Sequence, residues 1–147
     1  MSDSATAHET QEKRDTLIAA ARAARAHAHA PYSRFAVGAA VLDEQGRIHA
    51  GCNVENAAYP QGWCAETSAL AALVAAGGKR VLAVAVCAVA AEPGTPVTPC
   101  GGCRQKIREF AADDCPIYVA DAHTLVASFT LGQLLPCSFG PAHLERS

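Results

Sequence analysis

The run VLAVAVCAVAA at residues 81–91 holds eleven apolar side chains in succession. It falls well short of the roughly 18 residues that a membrane-crossing helix needs. Because it is apolar at every position, and not at every second one, it reads as a strand covered on both faces. Its flanks agree. Gly77 and Gly78 stop the segment before it, and EPGTPVTP at 92–99 opens a loop after it.

Upstream of that strand, Leu70, Leu73 and Val74 follow Cys64 at helical spacing. Downstream, CGGCRQKIREFAADD (100–114) sets Cys103, Ile107, Phe110 and Ala111 on one helical face. PIYVA (116–120) is a short strand, with another strand or helical piece starting near His123. FAVGAAVL (35–42) and RIHAGC (47–52), joined by the turn cluster DEQG, predict a hairpin. Leu17, Ala21, Ala24 and Ala28 predict a first helix that Pro31 ends, with His27 and His29 on its surface. Residues 1–14 are polar, mixed in charge and without the pattern of a signal peptide, and read as a disordered tail before a single domain at 15–147. Helices interleaved with short, almost wholly apolar strands need a sheet covered on both sides, a three-layer α/β/α sandwich.

Composition narrows the function. A net charge of −2 over 147 residues provides no positive field to draw in nucleic acid or anionic lipid, so neither is an expected partner. The short basic cluster of Arg104, Lys106 and Arg108 reads as a solvated helix face. Seven cysteines, an odd number and partly inside apolar segments, argue against a disulfide framework and for a reducing cytoplasm with some thiols on a metal.

Cys100 and Cys103 form a CxxC, a spacing that lets two sulfurs share one tetrahedral ion. Alone the pair is weak, since seven cysteines scattered over this length give roughly 0.3 such pairs by chance. Cys64, at the start of another helix, offers a third sulfur if the two helix N-termini converge. Three protein ligands leave zinc one open position, where a bound water becomes acidic near neutral pH. Glu66, two residues after Cys64, is then placed to carry the proton without being a ligand. Bland readings stand beside this one. Cys52 or Cys137 could close the zinc shell as a fourth thiol and leave a structural, noncatalytic module. Glu66 could be an ordinary first-turn acid, and Asn53 and Glu55 ordinary turn residues. Cys87 reads as a small buried apolar residue, Cys115, before a proline at a loop, offers no partner spacing, and Trp63 reads as a packing anchor or a pocket wall.

The segments NVENAAY (53–59), CAE (64–66), PCGGCRQ (99–105) and LLPCSFGP (134–141), in this order, resemble the cytidine deaminase family, in particular its small homotetrameric branch. The likeness runs from PYSRFAVGA at residue 31 to SFGPAHL at residue 144. It implies a central mixed five-stranded sheet and one zinc ion per subunit, held by Cys64, Cys100 and Cys103, with Glu66 moving the proton. It further implies that the Pro99 carbonyl and the Ala65 amide hold the amino group and ring carbonyl of the base, that Asn53 and Glu55 grip the ribose, and that Phe35 walls the pocket. Tyr59 and Phe139 would lie at subunit contacts, Phe139 against the base in a neighbour's site. The implied reaction is deamination of cytidine and 2′-deoxycytidine in pyrimidine salvage. Blasticidin-type deaminases share the zinc core, but the intact NVEN segment favours a plain nucleoside.

One position departs from the resemblance. Many members of that branch have an arginine directly after the motif glutamate, and here the residue is Thr67. Three thiolates and one zinc ion sum to −1, so another group should compensate, and helix amides and Arg104 are the expected ones.

Overall fold

The computed structural model describes residues 2–145. Four α-helices and five strands follow one another as α1 (Ser2–Arg25), β1 (Val37–Asp43), β2 (Ile48–Cys52), α2 (Ala65–Ala75), β3 (Val81–Ala88), α3 (Gly101–Phe110), β4 (Pro116–Ala120), β5 (Leu125–Thr130) and α4 (Leu131–Leu134). Short 3₁₀ turns occupy Tyr59–Gln61 and Pro141–His143.

The strands form one mixed sheet in the order β2-β1-β3-β4-β5. β1 pairs antiparallel with both β2 and β3, β3 runs parallel to β4, and β4 is antiparallel to β5. The hairpin turns at Gly46, whose φ of 81° suits a residue without a Cβ. A parallel pair cannot be closed by a tight turn, so α3 serves as the crossover from β3 to β4.

Of the run at 81–91, Val81–Ala88 forms the strand and is buried on both faces except at Leu82, while Val89, beyond the strand, is exposed. Alternate residues of β3 point to opposite sides. Val84 and Val86 join Leu70 and Leu73 of α2, Ile107 of α3, Ile117 and Leu131 in one core cluster. Ala83, Ala85 and Cys87 meet Leu17, Ile18 and Ala21 of α1 in the other. With α1 on one face and α2 and α3 on the other, the molecule is the expected three-layer sandwich around a mixed five-stranded sheet.

Two glycines set the spacing of the layers. A Cβ on Gly38 would lie 1.9 Å from the Ala21 carbonyl oxygen, so α1 rests directly on the β1 backbone. A Cβ on Gly51 would lie 2.5 Å from the Ser68 Cβ and 2.6 Å from the Ala69 amide, so α2 rests equally closely on β2.

Several boundaries differ from expectation. The polar stretch 1–14, read as a disordered tail, is helical from Ser2, while Met1 lies outside the described residues. It is rich in good helix formers and carries a Glu9–Lys13 pair at 2.8 Å, so it propagates from the turn that Leu17 and Ile18 anchor. The same helix ends at Arg25 and not at Pro31, leaving Ala28 and His29 beyond it. The His29 backbone is instead used to donate to the Asn53 carbonyl at 3.0 Å and to accept from the Glu55 amide at 2.8 Å. In α2 the packed face is Ala65, Glu66, Ala69, Leu70 and Leu73, and Val74 turns to solvent. The piece expected near His123 is β5 followed by α4, whose start is capped by Thr130 accepting from the Gln133 amide. Among the described residues no helix is long and apolar enough to cross a membrane.

Candidate active site

The segment 53–55 is held between two others. It bonds His29 on one side, and on the other Val54 and Trp63 exchange backbone hydrogen bonds of 2.8 and 2.9 Å. That bridge fixes Trp63, and therefore Cys64, at the mouth of α2.

Cys64 is the N-cap of α2 and Cys100 the N-cap of α3, both in extended conformation. Serine, threonine, asparagine or aspartate usually fill this position and bond the free helix amides. Neither cysteine does so, which leaves both sulfurs available. Cys103, in the first turn of α3, is buried. The sulfurs of Cys64, Cys100 and Cys103 lie within 4.8 Å of one another, and among the described residues no other histidine, cysteine, aspartate or glutamate joins them. Cys52 and Cys137 therefore do not supply a fourth ligand.

The donor set fits zinc. A tetrahedral ion with Zn–S bonds of about 2.3 Å needs sulfurs about 3.8 Å apart, a small adjustment from this cluster. Burial, followed by the negative charge of neighbours, pushes the Cys103 thiol well above its ordinary value. Burial also raises Cys64. Cys100 lies below its ordinary value because burial is outweighed by the Cys103 amide and by the two neighbouring thiols. Thiols packed this closely resist ionising together, and a divalent cation among them reverses that balance.

Glu66, in the first turn of α2, is 5% exposed and, with Asp43, one of two buried charged residues in the described chain. Asp43 is explained by the hairpin. It accepts from the Gln45 and Arg47 amides, the Arg47 guanidinium and the His49 ring. Glu66 has no such cradle. Burial raises its carboxyl above the usual range, against the helix amide, the Cys103 thiol and the positive charge of Lys106. A buried carboxyl raised in this way, beside a cluster of potential metal ligands, suits proton transfer.

A cavity of about 360 Å³ opens over the cluster, and its lining includes Phe35, Val37, Asn53, Glu55, Cys64, Ala65, Glu66, Val86, Thr98 and Cys100. A second cavity of about 520 Å³ adjoins it, sharing Ser33, Asn53, Glu55 and Cys64 and adding Tyr32, Asn56, Tyr59 and Trp63. Trp63 thus lines a pocket. Asn53 and Glu55 also hold structure. The Asn53 amide accepts from the Val37 N–H and donates to the Phe35 carbonyl, both at 2.8 Å. Glu55 accepts from the Tyr32 and Ser33 amides and the Ser33 hydroxyl. Each keeps bonding capacity, since an amide has two donors and a carboxylate about four acceptor sites. Ala65, whose amide at the first helical position of α2 has no intrahelical partner, lines the cavity.

Pro99 is buried between Thr98 and Cys100, and its carbonyl accepts from Arg104 Nε at 2.7 Å. Arg104 also donates to the Leu134 carbonyl (2.8 Å) and the Thr98 hydroxyl (2.9 Å). The arginine expected to face the thiolates therefore clamps the loop before Cys100. Tyr59 and Phe139 are 73% and 56% exposed and do not reach the Glu66 cavity within one chain. Tyr59 tilts against Tyr32, and Phe139 stacks on His143 at 4.9 Å. Ser33, Val86 and Thr98 are lining residues that carry no signal in sequence, because a lone hydroxyl or valine has no positional code.

A family model described as the cytidine and deoxycytidylate deaminase zinc-binding region matches residues 11–119. A cytidine deaminase of Sporosarcina psychrophila is 42% identical over 89% of this chain and 94% of its own length. One from Mycobacterium tuberculosis is 44% identical over 84% and 86%. Among solved structures, cytidine deaminase from Burkholderia pseudomallei superposes with a TM-score of 0.78 at 40% identity, covering 85% of this chain and 98% of that one. The M. tuberculosis structure gives 0.73 at 42% identity, covering 86% and 97%. With its three-sulfur cluster, its buried glutamate and these likenesses, the chain belongs to the cytidine and deoxycytidylate deaminase family.

Proposed function

We propose that this protein hydrolyses cytidine and 2′-deoxycytidine to the corresponding uridines with release of ammonia, as a zinc-dependent enzyme of pyrimidine salvage. The observation that carries the reading is a cluster of three sulfurs within 4.8 Å of one another, two of which, Cys64 and Cys100, line one cavity with the buried carboxyl of Glu66.

In this reading Cys64, Cys100 and Cys103 hold one zinc ion per chain. Bound there, zinc supplies a Lewis acid that makes a water acidic enough to attack near neutral pH. Glu66 would take a proton from the attacking water and pass it to the base, then deliver the second proton to the departing amine. Its raised affinity for protons supports both transfers. The Pro99 carbonyl accepts from the amino group, the Ala65 amide donates to the ring carbonyl, and Phe35 and Val86 supply an apolar wall. Asn53 and Glu55 take the sugar hydroxyls with the capacity their structural bonds leave. Water and cytidine balance uridine and ammonia.

The reading extends to a cytoplasmic homotetramer acting on free nucleosides, with 15–147 as the catalytic domain. Exposed Tyr59 and Phe139 support it, since each offers a large aromatic surface for a neighbouring subunit to cover. The seven thiols are all free, in keeping with a reducing compartment.

The deciding experiment follows cytidine conversion by ultraviolet absorbance for the wild type and Glu66→Gln at equal zinc content. Turnover by the first and a loss of at least about 100-fold in the second is the expected result. Wild-type turnover by Glu66→Gln would reject the assignment.

A further inference from the structure

Three thiolates around one dication leave a formal charge of −1. The arginine expected to offset it is committed elsewhere, with Arg104 bonded to the Pro99 and Leu134 carbonyls and to the Thr98 hydroxyl. The opposite side of the cluster offers a different cation. Lys106 of α3 reaches across to α2, and its Nζ donates to Thr67 Oγ1 at 3.0 Å. Thr67 Oγ1 in turn lies 4.0 Å from Cys103 Sγ, the outer reach of a hydroxyl-to-sulfur hydrogen bond.

The direction of this chain follows from its donors. An ammonium group has three hydrogens and no acceptor, so the threonine oxygen must accept from it. The single Thr67 hydroxyl hydrogen is left to point elsewhere. Its usual outlet in a helix is the carbonyl four residues back. That carbonyl, of Trp63, belongs to the residue before the α2 cap and is turned to the Val54 amide, from which it accepts at 2.8 Å. Cys103 Sγ is the acceptor within range. The positive charge of Lys106 thus stands no more than 7.0 Å from that sulfur, with a polarised hydroxyl between them. Lys106 also follows Cys103 by three residues, so both occupy one face of α3.

We propose that Lys106, acting through Thr67, is a positioning residue for the metal centre: it supplies the compensating charge, and the hydroxyl it orients bonds the Cys103 thiolate and so retains zinc. The proposal rests on the assignment of zinc to Cys64, Cys100 and Cys103. It also gives the threonine after Glu66 a role, as the link through which a cation from the neighbouring helix is felt. Lys106 is exposed, so its removal spares the core.

The test is the rate at which zinc-loaded protein surrenders metal to a colorimetric chelator, with turnover as a second readout. Lys106→Ala should release zinc about 10-fold faster than wild type, the lower end of what orienting partners of metal ligands contribute. Lys106→Arg should stay near wild type. Thr67→Val should match Lys106→Ala, and the double variant should be no worse than either alone, since both cut one chain of contacts. Between 0.05 and 1 M salt the gap between wild type and Lys106→Ala should narrow, because an exposed charge is screened. Wild-type release by Lys106→Ala, strictly additive losses in the double variant, or a gap unmoved by salt would each overturn the proposal. A Cys64→Ser control separates the two levels: if it keeps zinc at full stoichiometry, the ligand assignment itself fails, whatever Lys106 does.

Discussion

Gly51→Ala is the substitution through which the packing of this fold speaks most directly to its chemistry. The new Cβ would sit 2.5 Å from the Ser68 Cβ, 2.6 Å from the Ala69 amide nitrogen and 2.8 Å from the Ser68 carbonyl carbon. Two of these are backbone atoms of α2, which cannot rotate away. Restoring ordinary contact of 3.4 Å or more requires α2 to lift off β2 by about 0.9 Å. That helix carries Cys64 at its cap and Glu66 in its first turn, while Cys100 and Cys103 belong to α3 and stay behind. The lift also stretches the 2.8 Å hydrogen bond from the Ser68 hydroxyl to the Cys52 carbonyl. Overpacking of this kind costs about 1 to 3 kcal/mol. Misplacement of reacting groups by about 1 Å costs about 100-fold in rate. Urea denaturation and steady-state cytidine assays on zinc-loaded Gly51→Ala should therefore show a lower midpoint and a kcat/KM reduced by one to two orders of magnitude. Gly102→Ala, whose Cβ meets nothing within 4 Å, is the stability control and should hold or raise the midpoint. A Gly51→Ala protein with wild-type midpoint and wild-type kcat/KM would refute the claim that backbone contact between β2 and α2 sets the position of Glu66.

Two further outcomes follow from the hydrogen-bond pattern. Arg104→Ala removes three charge-assisted bonds that pin Pro99, Thr98 and the end of α4. It should cost about 2 to 4 kcal/mol of stability and lower zinc retention or turnover more than Arg108→Ala. Arg108 bonds only the Ser138 hydroxyl and the Ala111 carbonyl at hydrogen-bond distance, and equal, negligible effects of the two changes in chelator release and melting would dismiss a special role for Arg104. Asp43 is held well below the usual carboxylate range. Burial opposes this, and the His49 ring, the Gln45 and Arg47 amides and the Arg47 guanidinium outweigh it. A depressed folded-state pKa stabilises the fold above the unfolded value of about 3.9 and loses that contribution as pH falls toward the folded value. Asp43→Asn should consequently flatten the dependence of the denaturation midpoint on pH below about 4, and an unchanged acid limb would exclude this carboxylate as its source.

The α2–α3 face shows how charge and position are divided in the site. Cys103, Glu66 and Thr67 are brought together from two helices, and Lys106, one turn after Cys103 on α3, approaches Glu66 and Thr67 of α2 through space. Helix amides and Arg104 were the expected sources of charge compensation. The Arg104 side chain instead runs to the 98–99 backbone and the end of α4, where three oxygens await it.

What the sequence by itself determined was everything local in origin. The unbroken apolar run beginning at Val81 required a strand covered on both sides, the apolar strand runs, the helical spacing and the glycine stops placed the elements, and the CxxC put two sulfurs within one helical turn. A helix start beside Cys64 and Glu66 was likewise legible, because cap and first turn are built from neighbours. The tertiary structure decided what depends on distant segments meeting. Cys64 joins Cys100 only because both helices begin at the same end of the sheet, and α1 stops at Arg25 because His29 pairs with the strand-like segment 53–55. The polar N-terminal stretch became helix because a packed turn beyond it nucleated the rest, and Lys106 found Thr67 across two helices. Spacing along a chain constrains a few residues at a time, whereas contacts across the core are settled by how all the layers pack at once.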